Sequence, residues 1–135
     1  MQDAVSEEVD YAALADFRHA LRQFLVFSER HAAEHGLTAQ QHQALLAIRG
    51  APSEAVTIGY VADRLAIKPH SASGLVERLE ALGLVARSAS KNDRRQALIE
   101  LTPRSRALLD QLSATHREEL RRLRPMLTAL LARLD

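Results

Sequence analysis

The sequence predicts a mainly α-helical chain that carries one small β-hairpin. Three observations carry that prediction. Long stretches near both ends repeat apolar residues every three or four positions, the period of an amphipathic helix. Two short stretches of the same period lie between them, separated by only a few residues. "QALIELT" (96–102) places Ala97, Ile99 and Leu101 at every second position, the period of a strand.

The first helix is predicted from about Ser6 to His35. Leu14, Phe17, Leu21, Phe24, Leu25 and Ser28 fall at helical spacing, and Gly36 stands where a left-handed cap is least costly. "LTAQQHQALLAIRG" (37–50) opens with Thr38 and has Gln41 three residues on, the spacing of a capping box. Ala44, Leu45 and Ile48 form its apolar stripe and Gly50 closes it, before a loop at "APSE". Thr57 is the N-cap of a short third helix anchored by Val61, Leu65 and Ile67. Pro69 suits the first position of a fourth, where its missing N–H would have no partner anyway. Leu75, Leu79 and Leu82 share one face there, and Gly83 stops it. Two short helices joined this tightly read as a helix-turn-helix.

Leu84–Ser88 and Gln96–Leu101 are the predicted strands, and "KND" (91–93) between them is turn chemistry. Thr102-Pro103 then starts a leucine-rich segment with Leu109, Leu112, His116, Leu120 and Leu123, continuing through Leu127, Leu130 and Leu134. Pro125 interrupts that pattern and predicts a kink or break, hence two helices at the end. A chain this short has too little core of its own to bury both terminal stripes, so they are expected to pack against a second copy. The expected organisation is a dimerisation helix over 1–36, a compact centre over 37–102, and dimerisation helices over 103–135.

Composition excludes several classes. There is no Cys, so disulfides, thiolate metal sites and cysteine redox switches are out. No apolar run approaches a membrane span, and the acidic N-terminus does not read as a signal peptide, so a cytoplasmic protein without membrane contact is expected. Charge is unevenly spread. Residues 1–36 hold three basic and seven acidic side chains, whereas residues 57–106 hold nine basic and five acidic. An electropositive middle is the footprint expected for a polyanionic partner.

The hairpin sharpens that expectation. A turn needs Asn or Asp, but it does not need Lys91, Arg94 and Arg95 crowded on one tip. A helix-turn-helix followed at once by a basic hairpin is a winged helix, whose second helix can enter the major groove of double-stranded DNA. Lys68, His70, Ser71 and Ser73 lie at the start of that helix, away from the face set by Leu75 and Leu79. At the tip, Arg95 is placed to enter a minor groove, Asp93 to orient it through a charge-assisted hydrogen bond, and Lys91 and Arg94 to meet phosphates. Arg78 and Arg87 are further phosphate candidates.

From about Tyr11 onward the chain resembles the MarR (multiple antibiotic resistance) family of winged-helix transcription regulators. The residues that carry the resemblance are "GLTAQQHQALLAI", "VADRLAIKPHSASGLVERLEALGLVAR" and "NDRRQALIELT". Asp93 and Arg95 fall on the family's Asp-x-Arg wing signature, and Leu101-Thr102 on its end. The resemblance implies a homodimer joined through its first and last helices on a pseudo-palindromic operator. Most members of that family repress, and are released by phenolic or other aromatic ligands, by oxidation or by metals. Three positions depart from the family pattern. Lys68 stands where many members place a Ser or Thr cap, Gly74 where a larger polar residue is frequent, and His42 where an aromatic residue often lies near the ligand pocket.

A ligand pocket is expected where the first helix, the second helix and the long fifth helix meet the winged domain, with Phe24 and His42 lining it and Arg22 meeting a carboxylate; dimer core is an equal reading of Phe24. The absence of Cys leaves reversible ligand binding or no signal at all, with a small aromatic ligand as the candidate. No motif calls for a cofactor, and no nucleophile, Gly-rich phosphate loop or carboxylate pair beside a His supports an enzyme. Two other readings stay open. His31 and His35, four residues apart, could share a metal with His42 and His116 if folding joined them, although solvent-exposed histidines at a helix end explain the same spacing. A winged-helix protein-interaction module is the second, and the basic tip argues against it.

Overall fold

A computed structural model of the chain describes residues 10–89 and 96–133. Five helices and one hairpin follow in the order α1 (Tyr11–Glu34), α2 (Ala39–Arg49), α3 (Ile58–Leu65), α4 (Pro69–Ala81), β1 (Val85–Ala89), β2 (Ala97–Leu101) and α5 (Pro103–Ala132). The fold is a winged helix-turn-helix flanked by two long helices.

Local chemistry sets most boundaries. The Thr38 hydroxyl accepts from the Gln41 N–H at 3.1 Å, and the Gln41 side chain accepts from the Thr38 N–H at 3.0 Å, completing the capping box. Thr57 caps α3 through the Tyr60 N–H at 3.1 Å. Gly36 and Gly83 both turn with positive φ, at 79° and 73°, where a side chain would be strained. The α3–α4 turn uses Ala66 in the left-handed region instead, at φ 55°. Lys68 is the N-cap of α4 and makes no side-chain cap, so that helix start rests on Pro69.

The winged part is built around one aliphatic core. Leu45 of α2, Val61 of α3, Leu75, Val76 and Leu79 of α4, Ile99 of β2, and Leu109 and Leu112 of α5 are all buried within it. Each such side chain contributes roughly 1.5–3 kcal/mol of burial. The antiparallel hairpin pairs Val85 with Leu101 and Ala89 with Ala97. The Ile99 N–H also donates to the Val56 carbonyl at 2.8 Å, fastening the hairpin to the loop before α3.

α5 begins against the end of α4. The Thr102 hydroxyl donates to the Gly83 carbonyl at 2.8 Å, and the Arg104 guanidinium donates to the Leu82 carbonyl at 2.7 Å. Arg49 bridges α2 to α5 through Asp110 at 2.8 Å. Beyond the core, α5 runs antiparallel to α1: His116 meets Ser28, and Arg133 meets Asp10 at 3.0 Å.

Three expectations are corrected. Among the described residues α1 starts at Tyr11, capped by the Asp10 carboxylate, which accepts from the Ala13 N–H at 2.9 Å; residues 6–9 of the expected helix lie outside the described residues. That bond and the Arg133 guanidinium hold the Asp10 carboxyl below its usual range. Pro125 does not break the last segment, and α5 is one helix of 30 residues. Pro125 leaves the Arg121 carbonyl without its helical partner, and both residues lie on the exposed side of α5. Leu82, expected on the buried face, is exposed at the end of α4. The strands differ from expectation by a residue at the ends.

Candidate nucleic-acid surface and histidine seam

α4 divides cleanly into two faces. Ala72, Leu75, Val76 and Leu79 are buried against the core, while Lys68, His70, Ser71 and Arg78 are exposed and Ser73 is half-buried. The sequence spacing alone places those faces, since residues three and four apart share one side of a helix. Gly74 lies under Arg78: a Cβ built there would stand 3.6 Å from the Arg78 guanidinium, an ordinary contact. The guanidinium therefore runs back along the helix over a bare backbone. Arg87 on β1 is placed differently. It is half-buried, its Nε lies 3.4 Å from the Glu80 carboxylate, and that nitrogen has no hydrogen bond. Lys91, Asp93, Arg94 and Arg95 lie outside the described residues.

A second cluster forms where α1, α2 and α5 cross. His42 is 2% exposed, and its ring centroid lies 4.9 Å from that of His116. Phe24 meets His116 edge-on at 6.0 Å, so two of the expected pocket residues do come together around a third that was not expected there. Arg22 does not join them. It is two residues from Phe24, nearly opposite on the helix, and lines a shallow groove of about 350 Å³ with His19, Gln23, Val26, Phe27 and Arg30.

His116 is the hub of this seam. Its Nδ1–H donates to the Leu112 carbonyl at 2.8 Å, which leaves Nε2 to accept from the Ser28 hydroxyl at 2.7 Å. His31 stacks on Phe27 at 5.6 Å and pairs with Glu34 at 3.2 Å. The His35 Nδ1–H donates to the His31 carbonyl at 3.0 Å. His31 and His35 are thus half-buried members of a cluster rather than free rings at a helix end. Burial, then the neighbouring His116 and His31, push the His42 pKa down from 6.5 to about 4. Among the described residues no group of three or more His, Asp or Glu side chains is arranged to hold a metal ion. The hydrogen bonds explain why at the hub, where both His116 nitrogens already have partners.

The Ser28–His116 pair escaped the sequence reading. A signal was present: each is the polar member of an otherwise apolar stripe, one on each terminal helix. Among the described residues no helix is long and apolar enough to cross a membrane.

Comparison with known proteins agrees with this geometry. The MarR family model matches residues 35–96, which include the helix-turn-helix. No curated protein sequence gives a match. A probable transcriptional regulator from Pseudomonas aeruginosa is 31% identical, with 88% of this chain and 93% of that one aligned at a TM-score of 0.64. BpsR of Bordetella bronchiseptica, whose DNA binding is regulated by 6-hydroxynicotinic acid, is 27% identical over 96% of this chain and 94% of its own, with a TM-score of 0.67. MepR, a transcription regulator of the Staphylococcus aureus multidrug efflux pump MepA, shares the fold at 19% identity and a TM-score of 0.76, covering 94% of this chain and 100% of its own. The matched helix-turn-helix, the hairpin after it and the relative at 31% identity lead to one assignment: the chain belongs to the MarR family of transcription regulators, which are not enzymes.

Proposed function

We propose that this protein is a homodimer that binds double-stranded DNA sequence-specifically, acting in the cytoplasm as a ligand-responsive repressor on a pseudo-palindromic operator. The observation that carries the reading is the start of α4, where Lys68, His70 and Ser71 are exposed while Ala72, Leu75 and Val76 anchor the helix behind them. Polar side chains on a rigid, half-buried helix suit base-edge and phosphate contacts in a major groove. Arg78 and the wing residues Lys91, Arg94 and Arg95 supply cations for phosphates and the minor groove, with Asp93 orienting Arg95. Arg87, engaged with Glu80, has the weakest claim to a phosphate.

The dimer rests on α1. Leu14, Phe17, Leu21 and Leu25 form one stripe with 44–50% of their surface exposed. Such a stripe is expected to be covered by its copy in a two-fold assembly. Residues 1–36 and 103–135 then act as the dimer arm, and 37–102 as the DNA-binding part. The signal in this reading is a small aromatic or phenolic ligand bound beside Phe24 and His42.

The test is selection of bound sequences from random duplex DNA, repeated with small aromatic acids added, together with sedimentation of the free protein. A recovered palindrome with half-sites about 34 Å apart is expected, along with a dimer at micromolar concentration. A well-folded monomer, or no sequence enrichment at moderate salt, overturns the reading.

A further inference from the structure

The seam holds four imidazoles on three helices, and few groups there can answer a positive charge. His116 of α5 lies 4.9 Å from His42 of α2 and 5.9 Å from His31 of α1, and His31 lies 5.2 Å from His35. The His116 ring of α5 lies against His42, and His31 of α1 is near enough to act on the charge of that ring. Among the described residues Glu34 is the one carboxylate paired with any of these rings, and it pairs with His31 at the seam's outer edge. The Phe27 face on the other side of His31 also suits an imidazolium. His42 has neither kind of partner and is buried. Both ring nitrogens of His116 are already engaged, Nδ1 with the Leu112 carbonyl and Nε2 with the Ser28 hydroxyl.

We propose that this seam is a proton-operated latch: neutral imidazoles hold α2 against α1 and α5, and mild acid loads charge into the seam and opens it. The consequence for DNA rests on the function proposed above, because opening the seam frees the winged part to move against the dimer arm. The closed seam is a state in which His42 is neutral, its pKa lying at about 4 against an ordinary 6.5. A group depressed in this way favours the closed form fully above its ordinary pKa, and that preference is lost as pH falls from 6.5 towards 4. Between pH 7.5 and 5.5 the closed form loses about tenfold against the open one.

The experiment follows hydrogen–deuterium exchange of α2 in the full chain at pH 7.5 and 5.5, corrected for intrinsic exchange. Affinity for a duplex recovered by selection is measured at the same two pH values and constant ionic strength. Wild type is expected to show faster α2 exchange at pH 5.5 and weaker DNA binding there, by up to about tenfold. His42→Phe is expected to flatten both responses, and His116→Gln serves where His42→Phe loses helix content. Unchanged α2 exchange in wild type, or an undiminished response in both variants, overturns the latch. If no duplex is bound at either pH, the function proposed above fails by itself and α2 exchange alone decides the latch. Zinc chloride that slows α2 exchange at pH 7.5 and abolishes the acid response overturns it in favour of a metal.

Discussion

The winged part and the α1–α5 arm are built on opposite plans. In the winged part the large aliphatic side chains are inside: Val61, Leu75, Val76, Leu79 and Ile99 have almost no exposed surface. In α1 only alanines are buried, Ala13, Ala20 and Ala32, while its leucines and Phe17 face outward. Both regions contain enough apolar side chains for a core, but only one has closed over them. The winged part is finished within one chain. The arm has the composition of half an interface, and its stability is expected to depend on what covers it.

The sharpest way to break this contrast is to place charge on the arm. Phe17→Glu with Leu21→Glu should leave helix content near wild type but give a monomer by sedimentation. Operator affinity should fall on the order of 10³-fold, because one half-site's share of the specific binding energy is lost. A dimer surviving both substitutions would mean that the stripe is not the interface. Leu79→Ala tests the other half of the contrast. Its side chain is fully buried, so a loss of about 2–5 kcal/mol in chemical denaturation is expected, with the dimer arm untouched.

Two smaller effects sharpen the DNA-facing side. Arg95→Ala should weaken operator binding by about 1–3 kcal/mol at matched salt, leaving dimerisation alone, and Asp93→Ala should follow it at smaller magnitude. Wild-type affinity in Arg95→Ala would remove the wing from the interface. Gly74→Ala should raise stability by up to about 1 kcal/mol in thermal melts, since alanine favours the helix and its Cβ meets Arg78 at an ordinary distance. If DNA affinity falls while stability rises, the bare backbone at Gly74 is what positions Arg78.

How legible these features were follows from their range along the chain. The caps at Thr38, Thr57 and Thr102, the stops at Gly36 and Gly83, and Pro69 at a helix start are each decided within about four residues. All were readable, as was the polar start of α4. Pro125 locally predicts a kink or break, whereas whether the helix continues past it is set by how α5 packs. The seam joins Ser28 to His116 across 88 positions, beyond any periodicity. Arg22 was assigned to the pocket by chemistry without regard to its angle on α1. The left-handed Ala66 carries no sequence signal, because glycine is the residue that position normally favours.

The anchoring of α5 has a mechanical consequence. Its first turn is bolted to the end of α4 through Thr102 and Arg104, and the helix then extends for 30 residues, about 45 Å. It is a lever whose pivot sits at the end of α4 and whose long end lies against α1. A rotation of only about 5° at the pivot sweeps the far end through roughly 4 Å over that length. Read in reverse, a displacement of several ångströms among the arm helices is geared down to a few degrees at α4. Such a train trades travel for angular control, which the proposed placement of two such helices on one duplex would demand.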